Sequence, residues 1–167
     1  MNRIILINYS MLLSYFLMII SFVLLLVNGM QGYLQFKIYN ATHIQFAFIS
    51  TIFYMFTESW VMFYLIGSGK TIKETIINNS LDKTLYQEVI ASKKKVFPHI
   101  TLNIFLIGTV FVIGGGVHTK VISVSTHGWL FVFSMFHFLY TINLQHLAFK
   151  DTASLLEKLG ELLEGKK

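Results

Sequence analysis

The chain contains no cysteine, only one proline and few charged residues. Without cysteine it forms no disulfide, no iron–sulfur cluster and no thiolate nucleophile or metal ligand. Charged residues make up 13% of the 167 residues, whereas hydrophobic residues make up 54%. The mean hydropathy is +0.64. Because so little polar surface cannot cover a globule in water, the sequence predicts an integral membrane protein.

Four stretches are apolar over about the 20 residues that a helix needs to cross the hydrocarbon core. We therefore predict an all-α, polytopic membrane protein, a four-transmembrane-helix bundle with up-down-up-down topology. Two regions are expected: a transmembrane domain over residues 1–150 and an amphipathic C-terminal helix over residues 151–167. The predicted spans are residues 4–27, 43–67, 98–118 and 127–149.

A polar loop over residues 68–97 is predicted between the second and third spans. The glycines of Gly67-Ser68-Gly69 are typical of a helix end. Asp82 is a good N-cap for a short helix that reaches Lys95, and Pro98 suits the first turn of the third span. The loop is therefore expected to be helical and cytoplasmic.

Beyond the fourth span, the tail places leucines on one side and charged residues on the other. We expect Leu155, Leu159 and Leu162 to dock on a partner or on the cytoplasmic loop.

The lysine and arginine residues are distributed unevenly over the predicted loops. With the N-terminus inside, eleven of them lie on the inner side and two, Lys37 and Lys120, on the outer side. The positive-inside rule then places both termini and the long loop in the cytoplasm, most simply of a cell (inner) membrane. Since the net charge of +5 sits beside apolar spans, it indicates membrane lipid as a partner and argues against nucleic acid. Other subunits of a membrane complex, or a second copy, are further expected partners.

Glu58 lies deep inside the second predicted span. A carboxylate at that depth is costly unless it is protonated, paired or facing a polar interior. One interpretation makes Glu58 a proton carrier in a relay with Tyr54 and His137. The other makes it a structural acid, hydrogen-bonded to Asn103 or Thr141.

Three histidines fall at the predicted outer ends of spans: His43, His118 and His127. Two imidazoles can bind the iron of a b-type haem, and the run Gly114-Gly115-Gly116 offers room for a macrocycle beside His118. His118 with His43 or His127 is the expected cofactor-binding pair. All three imidazoles together would suit copper or zinc. The alternative is that these are interfacial residues satisfied by water and lipid headgroups.

Two functions follow from these patterns, and the sequence leaves both open. The first is a small subunit that binds haem b and takes part in electron transfer within a larger membrane complex. The second is a non-redox scaffold, or a small proton or ion transport subunit, with a polar seam around Glu58. The sequence does not decide whether the protein is an enzyme.

Overall fold

The structure is a computed structural model that describes residues 2–165, with side chains from residue 7 onwards. Met1 and the predicted tail residues Lys166 and Lys167 lie outside the described residues. Four α-helices account for most of the described chain: α1 (Asn2–Leu34), α2 (His43–Asn78), α3 (Thr84–His118) and α4 (Val124–Glu164). The predicted all-helical fold is confirmed.

Three of these helices are long and apolar enough to cross a membrane, judged by length and composition. The candidate spans are Ile7–Leu34, His43–Asn78 and Thr84–His118. They correspond to the first three predicted spans, and they support the assignment to the membrane proteins.

The segment 68–97 is largely helical, as expected, but its helical parts are continuous with the second and third helices instead of forming separate short helices. Helix α2 runs through Gly67 and Gly69 to Asn78, and α3 begins at Thr84 and contains Pro98. Only residues 79–83 connect the two helices. Gly69 lies inside α2 and does not end it. The side chain of Lys93 occupies the space beside Gly69 that a larger residue would need. Pro98 removes one helical hydrogen bond, a cost that packing against neighbouring helices can offset.

Helix α4 also continues without a break past the predicted domain boundary at residue 150. Helices of 36, 35 and 41 residues are about 50–60 Å long at a rise of 1.5 Å per residue. A bilayer core is about 30 Å thick, so each of these helices is longer than a membrane crossing requires.

The helices pack as two hairpins, α1 with α2 and α3 with α4, which meet mainly through α2 and α3 and to a smaller extent through α4. The connections 35–42 and 119–123 lie at the same end, since the rings of His43 and His127 touch there. We call this the histidine end. The opposite end, with the connection 79–83 and the last turns of α4, is called the lysine end.

The lysine end contains an apolar core between α2, α3 and α4. It consists of seven buried side chains, Ile72, Ile76, Leu85, Val89, Leu155, Leu156 and Leu159. Leu155 and Leu159 thus dock within the chain itself, whereas Leu162 is 41% exposed. Burial of these apolar side chains holds the helix extensions together, as it does in the core of a water-soluble protein.

Along the remaining length of the bundle, the interior contains two buried apolar clusters together with many polar side chains, and the surface is largely apolar. Large apolar side chains face outwards, among them Phe63 (71% exposed), Phe105 (69%) and Trp129 (74%). Polar side chains face inwards and form what we call the polar seam: Ser14, Ser21, Asn28, Gln31, Ser50, Thr51, Thr57, Glu58, Ser68, Asn103, Ser134, Thr141, Gln145 and Thr152.

Candidate functional site

Glu58 is completely buried in the middle of the polar seam. Gln145 Nε2, from α4, donates a hydrogen bond of 2.6 Å to Glu58 Oε2. The other carboxyl oxygen, Oε1, is buried without a hydrogen-bond partner, and so is the amide oxygen of Gln145. The partner of Glu58 is therefore Gln145, neither Asn103 nor Thr141, and the carboxyl group is only half satisfied.

Asn103 is the centre of a second buried network. Its Nδ2 donates to the hydroxyl of Tyr54 over 2.7 Å, and its Oδ1 lies 2.8 Å from Nδ1 of His137. Because Oδ1 can only accept, Nδ1 of His137 carries the hydrogen in this arrangement. The Nε2 atom of His137 lies 3.4 Å from Nδ1 of His99. The network thus connects α2, α3 and α4, and it ends in two adjacent imidazoles.

The two networks approach each other on α2. Tyr54 and Glu58 are one helical turn apart and both are completely buried. Since the Tyr54 oxygen accepts from Asn103, its own O–H hydrogen remains available to donate. The predicted relay residues Tyr54 and His137 therefore share one network through Asn103, while Glu58 lies beside that network with an unpartnered oxygen.

Small hydroxyl residues tie α1 to the same seam. Ser21 donates to the hydroxyl of Thr57 over 2.8 Å, and Thr57 donates to the carbonyl of Phe53. Ser14 bonds to the carbonyl of Ser10 in its own helix. These short side chains let the helix backbones approach closely.

At the histidine end, the structure brings together only two of the three predicted ligands. The rings of His43 and His127 are 6.4 Å apart between centroids, at 72°. His118 is the last residue of α3, and its side chain is exposed. Within residues 2–165, no group of three or more histidine, aspartate or glutamate side chains could hold one metal ion. The three-histidine metal site is thus not assembled, because His118 lies one turn beyond Gly114, where α3 ends.

Each imidazole of this pair packs into a notch made by a glycine on the preceding helix. A methyl group added at Gly32 would lie 3.1 Å from Cε1 of His43, and one added at Gly114 would lie 3.2 Å from Cε1 of His127. The two hairpins therefore repeat one arrangement, in which the second helix begins with a histidine that reaches back to the first. Imidazole rings fill the space beside Gly32 and Gly114. The space beside Gly114 is part of the region where a haem macrocycle was expected.

Sequence reasoning missed several members of these groups. Asn103 was expected as a partner of Glu58 but bonds to Tyr54, and Gln145 was not considered as the partner of Glu58. No role was predicted for Gly32 or for His99, which adjoins His137. In each hairpin a glycine near the end of the first helix precedes a histidine near the start of the second, and this order is visible in the sequence.

Comparison of the chain with protein-family models, with curated proteins and with solved structures finds no match. The function is therefore argued from the site alone.

Proposed function

We propose that this protein is a four-span membrane protein in which α4 provides the fourth span. Between residues 129 and 147, α4 exposes large apolar side chains that water would solvate poorly: Trp129, Phe133, Phe136, Leu139, Tyr140 and Leu147. On its inner side, the same stretch carries the seam residues Ser134, Thr141 and Gln145. Helix α4 therefore has the same polarity as the three candidate spans, and an up-down-up-down bundle follows.

The expected orientation places the histidine end outside and the lysine end, with both termini, in the cytoplasm. Because the chain has no cysteine, a thiol reagent labels only the single cysteine that a substitution introduces. Ser80→Cys should react with a membrane-impermeant thiol reagent only from the cytoplasmic side, and Ile122→Cys only from outside. Labelling of both positions from one side would contradict the four-span topology.

Within this bundle, we propose that Glu58 is a proton carrier and that the protein moves protons through its polar seam. The observation that carries this proposal is the half-satisfied state of the carboxyl group, with Oε2 bonded to Gln145 and Oε1 unpartnered. An unsatisfied buried oxygen costs about 1–3 kcal/mol. A structural role does not require that cost, whereas a group that takes up and releases a proton needs a free oxygen.

The second network supplies neighbours for this exchange. Tyr54 presents a hydroxyl hydrogen one turn from Glu58, while Asn103 fixes the position of that hydroxyl. His137 and His99 then provide two imidazoles that can each bind or release a proton. In-membrane ionisable groups arranged in this way are typical of proton relays.

Proton flux into liposomes tests this function. The purified protein is reconstituted with a trapped pH-sensitive dye, and a potassium gradient with valinomycin imposes the membrane potential. The unsubstituted protein should acidify the lumen, and Glu58→Gln should reduce the flux to that of empty liposomes. Glu88→Gln is the matched control because Glu88 is exposed near the lysine end. Equal flux for the protein and for Glu58→Gln would reject Glu58 as the carrier.

Haem-based electron transfer within a larger complex stays a second proposal. It is supported by the meeting of His43 and His127 from different hairpins, and weakened by the filling of the glycine notches with the same rings. An optical spectrum of the purified protein tests it, since a reduced bis-histidine haem gives a sharp α-band. A colourless protein would reject it.

A further inference from the structure

Four polar atoms without hydrogen-bond partners are buried near the histidine end. They are Nδ1 of His43, Nδ1 of His127, Oδ1 of Asn28 and Oε1 of Gln31. Gln31 is completely buried, and Asn28 is 7% exposed. Buried polar groups in folded proteins are nearly always paired, so such a group of exceptions points to an ion or water that belongs there.

The backbone fixes which nitrogen of each imidazole is free. His43 lies against the backbone of Asn28, and His127 lies against the backbone of Val110. Asn28 lies four residues before Gly32, and Val110 lies four residues before Gly114. Because glycine has no side chain, each imidazole can reach the backbone carbonyl of that earlier residue. Since Nδ1 has no partner, Nε2 is the nitrogen that faces the carbonyl and carries the hydrogen. Both Nδ1 atoms then present lone pairs.

This arrangement is the one that metal-binding histidines need. A ligating imidazole usually donates its other N–H to a carbonyl, which fixes the tautomer and the ring orientation. Here two histidines from different helices have that support before any ligand binds. Their rings are in contact, with centroids 6.4 Å apart.

The two amide oxygens belong to the same region of the bundle. Asn28 contributes the backbone that His43 faces. Gln31 donates through Nε2 to the carbonyl of Ala41 over 2.9 Å, two residues before His43. This bond holds the Gln31 amide at the start of α2 and leaves Oε1 to accept. Helix α1 thus adds two unpartnered amide oxygens to the end of the bundle where the imidazole pair lies.

We propose that the histidine end binds one first-row transition-metal ion through Nδ1 of His43 and His127, with the amide oxygens of Asn28 and Gln31 completing the site. Imidazole nitrogen selects zinc, copper and nickel over magnesium and calcium. Two amide oxygens take the place of the third histidine that the sequence suggested. His118 has no part in the site.

Zinc binding to the full-length protein in detergent micelles tests the proposal. After treatment with a chelator, the protein is titrated with Zn²⁺ in a calorimeter, and one ion should bind per chain. His43→Gln and His127→Gln should each weaken binding by at least tenfold, on the order of the loss that even supporting residues cause. His118→Gln is the matched control and should leave the affinity unchanged.

A second variant keeps the test decisive if a histidine substitution disturbs folding. Asn28→Asp preserves the shape of the side chain and replaces a neutral oxygen by a charged one, so Zn²⁺ should bind more tightly. Absence of Zn²⁺ binding to the unsubstituted protein would mean that water alone satisfies these atoms, and it would overturn the proposal. Equal losses in His118→Gln and His43→Gln, or unchanged affinity in Asn28→Asp, would overturn it as well.

Discussion

The lysine end and the polar seam differ in which side chains they bury and which they expose. At the lysine end, the buried side chains between α2, α3 and α4 are all aliphatic, and charged residues such as Lys70, Glu88 and Lys94 are exposed. Along the polar seam, the buried side chains include Glu58, Asn103 and Gln145, and the exposed ones are largely aromatic and aliphatic. One continuous helix, α2, passes from one pattern to the other.

This contrast shows what holds each region together. In water, burial of apolar surface drives the helices together, at roughly 25 cal/mol per Å². In lipid that force is absent between helices, and close packing with interhelical hydrogen bonds replaces it. The lysine end should therefore respond to loss of apolar volume, whereas the seam should respond to loss of a hydrogen-bond partner.

The largest effect is expected from Ile76→Ala at the lysine end. Ile76 is 2% exposed, and its truncation leaves a cavity that should lower the free energy of unfolding by about 2–5 kcal/mol. Ile77→Ala is the matched control, because Ile77 is 56% exposed and should cost about 0.5 kcal/mol or less. Unfolding in detergent, followed by circular dichroism, measures both. Similar losses in the two variants would contradict an apolar core at this end.

Asn103→Leu should give the next largest effect, this time in the seam. The substitution keeps the branched shape of the side chain but removes the hydrogen bond to the Tyr54 hydroxyl and the 2.8 Å contact of Nδ1 of His137, at about 1–3 kcal/mol for an unsatisfied group. Leu102→Ala, at a neighbouring position that is 48% exposed, should change stability little. The same unfolding measurement applies. If Asn103→Leu were neutral, the hydrogen-bonded seam would not be what holds α2, α3 and α4 together.

The glycine notches allow a finer comparison between two adjacent residues. Gly115 faces open space, so Gly115→Ala should stabilise α3 by about 0.5–1 kcal/mol through helix propensity. Gly114 faces the ring of His127 at 3.2 Å, and Gly114→Ala should lose that gain because the imidazole must move. Thermal unfolding of the two variants measures the difference. An equal gain in both would show that the notch is not tightly filled.

The smallest effect is expected at the start of α3. The backbone N–H and the hydroxyl of Thr84 donate to the carboxylate of Asp82, and these bonds lower the pKa of Asp82 below its usual value. Because the pKa is lower in the folded state, the stabilisation is present above the unfolded pKa and is lost as the pH falls through the folded pKa. Asp82→Asn should remove this acid-dependent loss, as measured by thermal unfolding between neutral and acidic pH. An identical pH profile for the variant would contradict it.

Much of the fold could be predicted from the sequence, since apolar runs of span length determine helices in a membrane protein. The helix ends could not be located from local signals. Gly67, Gly69 and Pro98 are typical helix boundaries, but all three lie inside helices here. Packing at the lysine end outweighs these preferences, because Val89 and Lys93 pack against Gly69 and the helices on either side share one core.

The candidate site was predictable in its residue types and less so in its pairings. Glu58 was recognised from its depth, and the helical spacing placed Gln145 in the seam. Helical spacing shows which face of α4 carries Gln145, but it does not show which side chain Gln145 contacts. Its hydrogen bond to Glu58 was therefore not predicted. The structure brings His43 and His127 together but not His118, because a shared predicted depth does not determine which side chains pack together.

The central claim is that Glu58 exchanges a proton inside the seam, and infrared spectroscopy of the protein in lipid tests it most directly. A pH-induced difference spectrum should contain the carbonyl stretch of a protonated carboxylic acid, and that band should disappear in Glu58→Gln. It should persist in Glu88→Gln, where the exposed carboxyl group is replaced. Persistence of the band in Glu58→Gln, or its absence from the unsubstituted protein at every pH, would contradict the account.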